Sequence, residues 1–192
     1  LLNEAADRFQ FTAPTARLPS LRIPRTEIEP FTLEEVFKVI QAVPEDYRQY
    51  VTVRFFTGMR TAEADGLKWK RIDWTRKQIG IAETYSSGNT DLTKNDSSKR
   101  HIDMNGLVYD ALIAQKNLTG AFSEYVFCNS AGGPLDSTNF NKRIWLPTLK
   151  KRGLQPRRPY QMRHTAATLW LASGEAPEWI AKQMGHSSTQ ML

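Results

Sequence analysis

The sequence predicts an α+β fold, mainly α, with helices arranged around a small antiparallel sheet. Three observations lead there. Helix start and stop signals recur along the chain: Thr32 with Glu35, Thr61 with Glu63 and Asp65, and Gly58, Gly174 and Gly185 after periodic runs. Strand-like alternation is confined to two short stretches near the middle, Gln78 to Ala82 and Arg100 to Met104. The 192 residues, 40% of them hydrophobic, are enough to bury one ordinary core.

The elements follow in order. Leu1 to Phe9 has helical spacing and reads as the remnant of the last helix of a preceding domain, residues 1–11. Residues 12–30 contain Pro14, Pro19, Pro24 and Pro30, and proline repeatedly blocks helix and sheet hydrogen bonding, so this stretch reads as an interdomain linker. A compact domain, 31–192, begins at Phe31. Its first helix opens on a Thr32–Glu35 capping box, with Leu33, Val36, Phe37 and Ile40 on one face. A second helix runs from about Tyr47 to Phe56 and ends at Gly58; a third is capped by Thr61. Between the two strands lies a stretch rich in Ser, Asn, Gly and Asp, read as a hairpin loop. Tyr125 to Cys128 is a short buried segment before the turn at Gly132-Gly133-Pro134. Helices resume at Ser137 to Lys150, Gln161 to Ser173 and Pro177 to Met184.

Composition narrows the functions. No apolar run reaches the roughly 20 residues of a membrane-spanning helix, so no membrane partner is expected. Cys128 is alone, which rules out an internal disulfide and suits a reducing, cytoplasmic setting. His101, His164, His186 and Cys128 lack metal-ligand spacing, so neither a metal nor another cofactor is implied. The formal charge of +6 suits a polyanion, and the basic residues cluster. Lys99-Arg100, Lys151-Arg152 and Arg157-Arg158 are candidate DNA contacts; each pair taken singly also reads as a solvated face.

Three separated segments carry the chemistry. Thr57-Gly58-Met59-Arg60-Thr61-Ala62-Glu63 puts Arg60 at a helix junction, with Glu63 placed to orient its guanidinium. Pro159-Tyr160-Gln161-Met162-Arg163-His164 puts Tyr160 and Arg163 on one face of a helix start. Met184-Gly185-His186-Ser187-Ser188 puts His186 just past a helix end. Lys94, in the polar hairpin, is a fourth contributor. Phosphoryl transfer needs such a set: two forked guanidiniums match the charge on the non-bridging oxygens, and a lysine can protonate the leaving oxygen. Alone, each motif has a plainer reading: a turn with an exposed arginine, an ion pair, a capped helix end, a loop lysine.

Taken together and in this order, the segments resemble the phage-integrase family of tyrosine recombinases, from about Phe31 to Leu192. The resemblance implies a tyrosine-recombinase catalytic fold behind a core-binding domain. It implies that Arg60 and Arg163 clamp a scissile phosphate, that Lys94 is a general acid, and that Glu63 supports Arg60. It implies further that His186 binds phosphate or packs beside the nucleophile, with His164 structural. The implied activity is metal-free, site-specific DNA recombination, the integration and excision of a mobile element, through a 3′-phosphotyrosyl intermediate. The implied partners are double-stranded DNA attachment sites and a homotetramer on DNA; an isolated domain is compatible with a monomer.

Two departures accompany the resemblance. Tyr160 stands where the family usually has histidine; as a catalytic candidate its phenol can still donate to the phosphate, but with a pKa near 10 it is a poor general base. The nucleophilic tyrosine of the family falls several residues past Gly185-His186, beyond Leu192, so this polypeptide is expected to bind DNA without cleaving it. Two rival readings stay open at this stage. One is a non-catalytic DNA-binding module; the other is a type IB topoisomerase-like activity.

Overall fold

Helix α2 (Leu33–Ala42) starts at the capping box: Thr32 Oγ1 accepts from the Glu35 N–H at 3.2 Å, and Glu35 Oε2 accepts from the Thr32 N–H at 2.9 Å. In this computed structural model, which describes residues 2–12, 28–86, 88–92, 99–186 and 188–189, it follows a short helix, α1 (Leu2–Phe9). The linker expected over 12–30 falls mostly outside the described residues. Phe31 is buried and marks one edge of the core, its ring edge-on to Phe55 and to Trp145.

Helix α3 (Glu45–Thr57) has no single apolar face, because it runs through the middle of the domain and buries Tyr50 to Phe55. It ends at Gly58 in the left-handed region (φ 61°), and the short α4 (Thr61–Asp65) leaves at once in a new direction. The left-handed backbone favours glycine here, and a β-carbon on Gly58 would stand 2.7 Å from Met184 Sδ, so that flexible side chain would have to shift.

The sheet has order β1 (Ile72–Asp73), β2 (Gln78–Ile81), β5 (Arg100–Asp103), all antiparallel. Ile79 and Ile102 sit opposite each other, both fully buried. The expected polar hairpin loop itself contains a two-stranded ribbon, β3 (Glu83–Ser86) with β4 (Asn89–Leu92). Local polarity hid these strands, since ribbon pairing needs no apolar face.

The longest helix, α5 (Gly106–Thr119), has no counterpart in the elements read from the sequence. It is capped by Asn105 Oδ1, which accepts from the Val108 N–H at 2.9 Å, and it packs Val108, Ala111 and Leu112 inward against α3. The stretch read as one helix from Ser137 to Lys150 comes in three pieces: α6 (Ser137–Asn139), a wider π turn (Phe140–Trp145) and α7 (Leu146–Lys151). Pro147 has no N–H to give the Arg143 carbonyl, and the Leu146 N–H reaches five residues back, to Asn141. Helices α8 (Gln161–Ala172) and α9 (Pro177–Met184) close the domain and agree with the sequence reading to within a residue. Among the described residues, no helix is long and apolar enough to cross a membrane.

Candidate active site

The site is assembled on the C-terminal end of α9. The last carbonyls of a helix lack intrahelical partners and carry the negative pole of its dipole. Here three consecutive carbonyls are each taken by a different arginine. Gln183 O accepts from Arg100 Nε at 2.6 Å, Met184 O from Arg163 Nη2 at 2.5 Å, and Gly185 O from Arg60 Nη2 at 3.2 Å. These arginines come from β5, from α8 and from the α3–α4 corner, so one helix end gathers three distant stretches of chain. Gly185, at φ 66°, lets the backbone turn away, and a β-carbon there would stand 3.0 Å from Arg100 Nη1.

Glu63 ties two of these arginines together. Its Oε2 accepts from the Arg60 backbone N–H and its Oε1 from Arg60 Nη1, both at 2.8 Å. The same two oxygens accept from Arg100 Nη2 and Nη1, both at 2.9 Å, in a fork-to-fork pair. Burial alone would push this carboxyl up. The Arg100 hydrogen bonds and charge, followed by the Arg60 backbone and side chain, outweigh it and hold Glu63 below the usual carboxylate range. The helix cap also differs from expectation. Arg60, not Thr61, occupies the N-cap of α4, while Thr61 Oγ1 accepts from Arg54 Nη2 at 2.8 Å.

Arg163 is 1% exposed and also donates to Gly58 O at 2.6 Å. Burial, then the neighbouring Arg60 charge, pushes its guanidinium down to about 10, leaving it protonated at neutral pH. Its Nη2 lies 3.0 Å from His186 Nε2. Arginine only donates, so Nε2 must accept and the imidazole proton sits on Nδ1. Burial first, then the charges of Arg163, Arg60 and Arg100, lower the His186 pKa to about 4, so the ring is neutral at pH 7. Its Nδ1 is buried without a hydrogen-bond partner among the described residues. The arrangement therefore places a neutral imidazole N–H beside three guanidiniums, two of which share one carboxylate. An oxyanion would relieve that surplus of positive charge. Arg60, with a third of its side chain exposed, is the most open of the three cations.

The other residues expected from the sequence are distributed unevenly. Tyr160 and His164 lie together at the start of α8, rings 5.2 Å apart and edge-to-face, with Tyr160 46% exposed. Burial and then Arg163 push His164 down as well. Lys94 lies outside the described residues. Lys99, Lys151, Arg152 and Arg158 are exposed. Two of the expected DNA contacts are engaged within the domain. Arg100 is turned inward onto Glu63 and Gln183, because alternation along β5 puts it on the same face as buried Ile102. Arg157 holds Glu35 Oε2 at 2.9 Å and stacks 4.3 Å over the Phe31 ring, fixing the start of the domain.

One participant was invisible from motifs. Arg54, 1% exposed, donates to Tyr50 Oη at 3.1 Å, to Thr61 and to Pro159 O at 3.3 Å, and so ties the Arg60 corner to the turn that opens α8. Tyr50 in turn donates to Asp65 Oδ1 at 2.7 Å, and burial raises the Asp65 carboxyl to about 6. The sequence does carry a signal for it, since Tyr50 and Arg54 stand four apart inside a helix, but nothing local says that both face inward.

Helices around a small sheet, with arginines and a neutral histidine gathered at one helix end, define a domain suited to holding a multi-oxygen anion such as a phosphate. The chain belongs to the phage integrase family, which it matches over residues 27–192. Among its relatives, IntQ of Escherichia coli strain K12 is 26% identical and aligns with 93% of this chain, and the prophage integrase IntR of the same strain is 24% identical over 96% of it. The alignments cover 52% and 51% of those two proteins, so the chain spans about half the length of the curated relatives it matches. The Tn1549 transposon integrase, solved in complex with a circular intermediate DNA, superposes with a TM-score of 0.82 at 20% identity, covering 98% of this chain and 68% of that one. A λ integrase dimer bound to a core site gives 0.71 at 19% identity, covering 99% and 69%. At such identities these two likenesses establish the fold.

Proposed function

We propose that this chain is the catalytic domain of a site-specific tyrosine recombinase that integrates and excises a mobile element at double-stranded DNA attachment sites. The observation that carries the reading is the convergence of Arg60, Arg163 and His186 at the end of α9. Two guanidiniums and a neutral Nδ1–H are suited to the non-bridging oxygens of a scissile phosphate, and their rigid anchoring means little reorganisation as charge develops. In this reading a tyrosine of the native-length protein attacks the phosphorus, leaving a 3′-phosphotyrosyl bond, and Lys94 gives a proton to the departing 5′ oxygen. No metal or cofactor is invoked. The 5′ hydroxyl of a partner duplex then reverses the step. Exposed Lys99, Lys151, Arg152 and Arg158 contact the DNA backbone, and the native-length protein works as a tetramer on paired sites in the cytoplasm.

The test is a nicked suicide substrate carrying the attachment site, incubated with the native-length protein and run on a denaturing gel. A covalent tyrosyl adduct is expected, and Arg60→Ala or Arg163→Ala should lower its rate by about 10²-fold or more. Tight, salt-sensitive binding with no adduct from the wild type would instead mark a non-catalytic DNA-binding module.

A further inference from the structure

The residue that stands out once the site is laid out is Arg100, which the proposed chemistry does not use. It is 8% exposed, yet all of its hydrogen bonds described above lead to parts of the site. Through Nη1 and Nη2 it grips both oxygens of Glu63, the carboxylate that also holds the Arg60 backbone and guanidinium. Through Nε it holds Gln183 O, one residue before the carbonyl used by Arg163 and two before that used by Arg60. Gln183 is itself buried and returns to β5, its Oε1 accepting from the Asp103 N–H and its Nε2 donating to Asp103 Oδ2, both at 2.9 Å.

We propose that Arg100 is a positioning residue for the phosphate clamp: it locks the β5 strand, Glu63 and the end of α9 into one unit, and so sets where the Arg60 guanidinium stands. The inference rests on the proposed recombinase reading, since it needs a clamp to position. The chemistry of the pair supports it. A lysine would supply the charge but not the fork, and only a planar guanidinium can reach both Glu63 oxygens and the Gln183 carbonyl at once. A mere charge partner for Glu63 would not need the third bond. Arg60 without this brace would keep Glu63 as a partner, but a Glu63 free to rotate no longer fixes the guanidinium in place.

The test is a double-mutant cycle in the native-length protein, read as the single-turnover rate of covalent adduct formation and, separately, as the Kd for attachment-site DNA. Arg100→Lys keeps a cation against Glu63 and so keeps the fold, which circular dichroism and thermal melting verify. It should slow adduct formation at least tenfold while moving Kd less than threefold. In an Arg60→Lys background, where no fork remains to be placed, the same change should cost less than twofold. Adduct formation within twofold of wild type in Arg100→Lys would overturn the inference. So would losses that multiply in the double mutant, because Arg100 would then act independently of Arg60. Wild-type rates in Arg60→Lys and Arg60→Ala would instead remove the clamp itself, and with it the recombinase reading.

Discussion

Replacing Glu63 by glutamine removes one charge from a site where two guanidiniums depend on it. Glu63 is 1% exposed and the Arg100 side chain 4% exposed, so the variant leaves a buried arginine uncompensated. Breaking a buried pair from one side costs about 3–5 kcal/mol, which for a chain of this length is a fall in Tm of roughly 6–20 °C. The double variant Glu63→Gln/Arg100→Met removes both charges at similar volume and should recover most of the loss. The pH dependence follows from the lowered carboxyl. A folded-state value below the ordinary 4.5 means that the stabilisation is present above pH 4.5 and is lost as pH falls through the depressed value. The gap between wild type and Glu63→Gln should therefore close on acidification below pH 4.5. Urea unfolding at pH 7 and pH 4 measures both effects. A loss under 1 kcal/mol at pH 7, or a double variant no better than the single, would refute the view that Glu63 and Arg100 form a tightly coupled buried pair.

Other outcomes are open to equally direct measurement. Arg158→Ala should weaken DNA binding and reduce the steepness of its salt dependence by about one unit, whereas Arg157→Ala should leave that slope unchanged and lower stability instead. Leu112→Ala, at a fully buried position on α5, should cost about 2–5 kcal/mol in urea unfolding. His186, held neutral with a pKa near 4 against an ordinary value of 6.5, contributes stability that is present above pH 6.5 and lost as pH falls through about 4. His186→Gln should flatten that part of the stability curve, and an unchanged slope would place the titration elsewhere. Gly58→Ala should destabilise by about 1–2 kcal/mol, because a left-handed residue gains a β-carbon that also displaces Met184.

Local signals and tertiary contacts divided the work of specifying this domain. Capping boxes, glycine stops and apolar spacing act within a few residues, so α2, α8, α9, β2 and β5 could be placed from the sequence, and Arg60, Arg163 and His186 could be picked out by the motifs around them. Helix α5 carries the same kind of local signal, with Asn105 ahead of Val108, Ala111, Leu112 and Gln115, but no chemical motif. The inward turn of Arg100 was half visible too, since Arg100 and Ile102 share a face on any strand. What holds its guanidinium inside the domain is Glu63 and the end of α9, brought in from 37 and 83 residues away. The same holds for Arg157, turned onto Glu35 and Phe31, and for Arg54 at the α3–α4 corner. A guanidinium goes wherever a carboxylate or an orphan carbonyl can be reached. The sequence by itself set the helices and the motif order; the three adjacent carbonyls at the end of α9, and the arginines that find them, exist only after the chain has packed.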